Sequence, residues 1–195
     1  MNLAYRHHKM TEEEYLQAEL LADIRHEYID GEVYAMAGTK KNHNIIAVNM
    51  LSLLQQHLRG KSCQPYASDI KVKVNKNFFY PDVMVDCSED DNEYFTENPT
   101  IIVEVLSKST RQYDKTLKRE QYLKIPTLQE YILIEQDFVD IEIQRRSNGW
   151  QSEHFYLDDP VQIPAIGLET TVSQIYYRVK NEDMEEWLLK QEESE

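Results

Sequence analysis

Glu104 stands inside the run TIIVEVLSKST, residues 100–110, where Ile101, Ile102, Val103, Val105 and Leu106 are the types that fill a strand packed on both faces. A carboxylate placed there costs several kcal/mol unless a cation, a proton or strong hydrogen bonds compensate. Asp82, in YPDVMVDC, breaks a second apolar run that the pattern sets on an adjacent strand. Two ionised acids across one sheet repel, so the pair calls for a proton or a cation. Mg²⁺ suits it, because that ion prefers carboxylate oxygens and keeps several waters. Metal-assisted hydrolysis of a phosphate ester also uses a lysine, which steadies the attacking water and offsets charge on the phosphate. The strand period puts residues 104, 106 and 108 on one side, and position 106 is Leu106, which cannot do this.

The surrounding patterns give the elements that must hold these groups. Thr11 followed by Glu14 is a capping box and opens a helix through about Leu21. HEYIDGEVYAM reads as a hairpin turning at Asp30-Gly31. Ile46, Met50, Leu53 and Leu54 recur at helical spacing over residues 43–59. SDIKVKV alternates, with Ile70, Val72 and Val74 on one face and Asp69, Lys71 and Lys73 on the other. FFYPDVMVDC is the next strand, with Pro81 marking a bulge or an edge within it. Residues 110–125 read as a helix ended by Pro126, with Tyr113 and Tyr122 as packing residues. EYILIEQ, VDIEIQR and EHFYL are further strands, and a helix near MEEWLLKQ closes the chain. The order predicts an α/β (α+β) fold with a central sheet flanked by helices.

With 195 residues, no repeat and no Gly/Ser-rich linker, the chain reads as one domain with an acidic tail from about residue 182. Cys63 and Cys87 have neither CxxC nor ligand-like spacing, so two reduced thiols and a reducing compartment are expected. No stretch approaches a bilayer span, and MNLAYRHHKM lacks the apolar core of a leader, which predicts a cytoplasmic protein without membrane contact. The net charge of −14 argues against non-specific coating of DNA. Its distribution is uneven: residues 86–97 carry six acids and no base, whereas residues 107–124 carry six bases against two acids. That basic segment follows directly on the Glu104 strand.

Taken in order, RHEYIDGEVYAM, YPDV, VEVLS, YDKTLK and IPTLQEYILI resemble the PD-(D/E)xK superfamily of restriction-endonuclease-like nucleases. More narrowly they resemble its Uma-two family of restriction endonucleases, over about residues 11–179. The resemblance implies a restriction-endonuclease-like core of four strands flanked by helices. It gathers Glu27, Asp82 and Glu104 at a site for Mg²⁺, with Mn²⁺ as a substitute. In place of the missing lysine at Leu106 it points to Lys118 on the following helix, with Lys108 as competitor, so that Asp82, Glu104 and Lys118 are the catalytic set. It also implies double-stranded DNA as substrate and a homodimer as the acting form, and it has a histidine where His43 opens a helix. Two other readings stay open. A nuclease-fold protein without catalysis, binding DNA or protein, fits Leu106 and the charge, and it predicts binding without cleavage. A metal-free acid/base pair of Glu104 and Asp82 would keep its activity in a chelator.

Overall fold

The computed structural model describes residues 9–36, 38–89 and 92–193. The start of the chain (residues 1–8), Asp90 and Asp91 of the acidic run, and the last two residues of the acidic tail lie outside them. The opening helix Glu12–Glu19 carries the expected capping box between Thr11 and Glu14 and stops two residues short of Leu21. Strands β1 (His26–Ile29) and β2 (Glu32–Ala35) form the expected hairpin, with His26 opposite Ala35. Its turn needs left-handed backbone at both central residues, Asp30 at φ 49° and Gly31 at φ 90°. The long helix runs Lys41–Leu58 and leads into β3 (Gln64–Ala67).

Strand β4 (Lys71–Val74) is the alternating one, and its polar face is covered rather than solvated. Lys71 is buried and donates to the Tyr80 hydroxyl (3.3 Å). Lys73 pairs with Glu12 (3.4 Å) and Glu97 (3.3 Å). The run FFYPDVMVDC is two strands, not one: β5 (Asn77–Phe79) and β6 (Val83–Asp86) belong to different sheets. Pro81 supplies no ladder donor, and Tyr80-Pro81-Asp82 is the crossing between the sheets. After β7 (Phe95–Thr96) come β8 (Pro99–Leu106), the helical stretch 111–122, β9 (Glu130–Glu135), β10 (Ile141–Arg145) and β11 (Ser152–Phe155). A two-stranded unit, β12 (Pro160–Ile163) with β13 (Leu168–Thr171), precedes a short helix Val172–Ile175 and the closing helix Glu182–Glu192.

The sheets are ordered β2-β1-β5-β4-β7 and β11-β10-β9-β8-β6-β3. In the larger one β8 and β9 run parallel while the other pairs are antiparallel. Alternation along β8 divides the core in two. Ile101, Val103 and Val105 pack with Ile46, Met50 and Leu54 of the long helix, whereas Ile102 and Leu106 face Tyr122, Tyr131 and the β4–β5 side. Among the described residues no helix is long and apolar enough to cross a membrane.

One expectation is overturned: Cys63 and Cys87 form a disulfide. They flank the antiparallel pair β3–β6, in which Gln64 lies opposite Asp86, so the register makes them neighbours across 24 positions of sequence. Spacing along the chain carries no trace of that. Cys63→Ser is expected to lower stability by about 2–4 kcal/mol in non-reducing buffer, as for closure of a loop of this order. Urea unfolding with and without reductant checks it; a wild-type midpoint indifferent to reductant would show that the bridge contributes nothing.

Candidate active site

Glu104 is 3% exposed and lies on the face of β8 between Ile102 and Leu106. Its charge is answered by the helical stretch that follows. Lys118 Nζ donates to Glu104 Oε1 at 3.1 Å, and the Tyr122 hydroxyl donates to the same oxygen at 3.0 Å. The Lys118 amine also lies 2.9 Å from Glu27 Oε1 and 3.6 Å from Asp114 Oδ1. Glu27 comes from the hairpin of the smaller sheet, so the amine joins both sheets. Tyr113 donates to Glu27 Oε2 (2.9 Å), and the Tyr80 backbone N–H donates to Glu27 Oε1 (3.2 Å).

Asp82 closes the group. It immediately precedes Val83, which pairs with Val103, and this sets Asp82 beside Glu104 at the end of the ladder. Asp82 Oδ2 accepts from the Val105 backbone N–H (2.7 Å) and lies 3.2 Å from His43 Nε2, on the first turn of the long helix. Among the described residues neither Asp82 Oδ1 nor Glu104 Oε2 takes part in a hydrogen bond, whereas both oxygens of Glu27 do.

The electrostatics follow from three carboxylates around one amine, with Asp82 beside them. Burial pushes the Glu104 carboxyl well above the usual carboxylate range against the pull of Lys118, and the acids Asp114, Asp82 and Glu27 push it further. Burial likewise raises Asp114, again opposed by Lys118. For Lys118 burial acts downward, but Glu104, Tyr122, Glu27 and Asp114 outweigh it and hold the amine charged well above the ordinary lysine range. The pocket keeps an excess of negative charge, and a proton or a further cation relieves it.

The hard oxygens of Asp82 and Glu104 therefore suit a divalent ion. Among the described residues no three His, Cys, Asp or Glu side chains are grouped to hold a metal. A site of two carboxylates completed by waters fits that arrangement and is the habit of Mg²⁺. Glu27, with both oxygens engaged, anchors Lys118 here.

Several neighbouring residues fall elsewhere. Lys108 is exposed on the turn after β8 and outside the group. Asp69 is solvent-exposed and pairs with Arg25. Three bases of the basic run are paired within the chain. Arg111 grips Glu135 with two bonds (2.7 and 2.6 Å), Lys115 pairs with Glu142 (2.9 Å) and Arg119 donates to Gln144 (2.5 Å). These rungs fasten the helical stretch to β9 and β10. The roles of Tyr113 and Tyr122 had no signal of their own in the sequence, and for Asp114 the i, i+4 spacing from Lys118 was the one clue.

Residues 12–173 match the family Uma2, described as "Putative restriction endonuclease". Two proteins of Synechocystis sp. are similar to the chain. "Uncharacterized protein slr1290" is 37% identical over 174 residues, covering 86% of this chain and 92% of that protein. "Uncharacterized protein sll1609" is 38% identical over 133 residues, covering 65% and 75%. Among solved structures, "a putative nuclease belonging to DUF820" from Anabaena variabilis superposes with a TM-score of 0.72 at 20% identity, over 86% of this chain and 97% of that one. The mixed sheets flanked by helices are thus the fold of that nuclease structure. The match over residues 12–173 takes in every residue of the carboxylate–lysine group, and the chain belongs to the Uma2 family.

Proposed function

We propose that the protein is a Mg²⁺-dependent endonuclease that hydrolyses phosphodiester bonds of double-stranded DNA, with Mn²⁺ as a substitute ion. The observation that carries this reading is the Lys118 amine fixed 3.1 Å from Glu104 and 2.9 Å from Glu27, beside Asp82. Asp82 and Glu104 would hold the ion through the oxygens that the fold leaves unbonded. When bound, the ion supplies Lewis-acid chemistry, acidifying water and offsetting phosphate charge.

The chain's own groups do the rest. The Val105 N–H and His43 orient Asp82 through one oxygen, leaving its second oxygen for the ion. Glu27, steadied by Tyr113 and the Tyr80 N–H, holds Lys118 where its amine can support an attacking water or a phosphate oxygen. A duplex has two strands to cut, so a homodimer presenting two such sites is the acting form in this reading.

Calorimetric titration with Mn²⁺ tests the proposal without a guess at the DNA sequence. Binding by the wild type and its loss, by at least about tenfold, in both Asp82→Ala and Glu104→Ala is expected, as for removal of one of two ligating carboxylates. A folded wild type that binds no Mn²⁺ would overturn the proposal.

A second reading has an observation of its own. Arg111, Lys115 and Arg119 are paired with Glu135, Glu142 and Gln144, which leaves less of the basic segment's charge for a phosphate backbone. A nuclease-fold protein that binds DNA or protein without cleaving accords with that. Retention of DNA with no cleavage, whichever divalent ion is supplied, would favour it.

A further inference from the structure

The helix that carries Lys118 changes its winding at that residue. Arg111–Tyr113 and Arg119–Tyr122 are α-helical, whereas Asp114–Lys118 is a π-turn. Such a turn closes its hydrogen bonds one residue later than an α-turn, and it is a recurrent feature of functional sites. Here the Arg119 N–H reaches back to the Asp114 carbonyl. The same carbonyl accepts a second bond, from the Tyr131 hydroxyl on β9, at 3.0 Å. Tyr131 is fully buried beneath the helix, its ring edge-on to that of Tyr122 at 5.6 Å.

Two rows of side chains must stay aligned along this stretch. Arg111, Lys115 and Arg119 face Glu135, Glu142 and Gln144, while Asp114, Lys118 and Tyr122 face the Glu104 side. At 3.6 residues per turn a four-residue step overshoots one revolution by roughly 40°, so two such steps would swing the second half of each row away from its targets. The wider turn takes that drift back. It sits between Asp114 and Lys118, the two groups whose relative angle decides whether the amine meets Glu104.

We infer that the π-turn, latched by the Tyr131 hydroxyl on the Asp114 carbonyl, is the device that aims the Lys118 amine between Glu27 and Glu104. Tyr131 is thereby a positioning residue for the proposed reaction. The inference rests on the nuclease reading for its purpose, though not for its geometry.

Two variants test it beside the wild type. Tyr131→Phe removes the latch without changing the core shape, and deletion of Thr116 turns the π-turn into an α-turn. Each protein is acylated with an amine reagent, and labelling at Lys118, exposed Lys108 and buried Lys71 is followed by mass spectrometry. Lys118 is expected to label at least about tenfold faster in the deletion and about threefold faster in Tyr131→Phe, the larger change for a shifted register and the smaller for one hydrogen bond. Lys71 should keep its wild-type rate, which separates local re-aiming from general loosening. With Mn²⁺ and supercoiled plasmid, kcat for Tyr131→Phe should fall roughly three- to tenfold while KM stays within about twofold. Lys118 as protected in a folded Tyr131→Phe as in the wild type overturns the inference, whatever the plasmid shows. A labelling change at Lys71 equal to that at Lys118 overturns it too. Lys118 labelling as expected in a wild type that neither binds Mn²⁺ nor cuts DNA sustains the inference and defeats the proposed function instead.

Discussion

Lys118→Met should lower stability by about 3–5 kcal/mol near neutral pH, as for a buried ion network robbed of one partner. The methionine fills a similar volume, so the loss is electrostatic: Glu27, Glu104 and Asp114 are left without their shared cation. The deficit should depend on pH in a definite direction. Glu104 and Asp114 already sit above their ordinary values through burial, with Lys118 restraining both. Without Lys118 they rise further. An acid whose folded value is raised favours folding below its unfolded value, and this contribution is lost as pH rises through the folded one. The variant therefore loses most at neutral and alkaline pH. Its deficit shrinks as the pH falls towards the ordinary carboxylate range. Urea unfolding of both proteins at about pH 7.5 and about pH 5.5 checks this, the two lying well above and close to that range. A deficit equal at both would show that packing, not charge, sets the role of Lys118.

The second large effect concerns Leu106, which occupies the position where the superfamily pattern resembled by the sequence has its lysine. Leu106→Lys does not repair the motif. Leu106 is fully buried in the cluster with Ile102, Tyr122 and Leu133, on the same face as Glu104. Substitution removes a core side chain and adds an ammonium where the acids already share one. A loss of roughly 4 kcal/mol or more is expected, the sum of a core truncation and a poorly compensated buried charge. The expected result in a thermal melt is a protein largely unfolded at temperatures where the wild type is intact. A variant that melts with the wild type would mean that the site has room for a second amine, and that Lys118 and position 106 are interchangeable.

These two residues show how far the sequence could be read. Glu104 was conspicuous because a strand of Ile and Val has no use for a lone carboxylate, and Asp82 because it interrupted the next apolar run. The hairpin, the capping box and the long helix were legible for the same reason: each is decided by contacts a few residues apart. What stayed hidden was decided by long-range register. The break at Tyr80-Pro81-Asp82 depends on two sheets that the local pattern does not distinguish. The bridge between Cys63 and Cys87 depends on the pairing of β3 with β6. The pairing of the basic run was not legible either, because its partners, Glu135, Glu142 and Gln144, lie on strands that the sequence places later. Lys118 was reached through resemblance, but the turn that aims it left no mark in composition.

The amine of Lys118 is the only cation that bonds across both sheets at the site among the described residues, and this constrains the order in which the chain can fold. Its partner Glu27 is tied to Tyr80 across 53 residues and to Tyr113 across 86. Contacts of such separation form late, once the loop-closure entropy of everything between has been met. Docking of the β1–β2 hairpin brings Glu27 to the Lys118 amine and buries a further carboxylate beside Glu104 and Asp114. A proton carried in by one of these acids eases that step, so refolding is expected to be fastest on the mildly acidic side of neutrality, which stopped-flow refolding across a pH series checks.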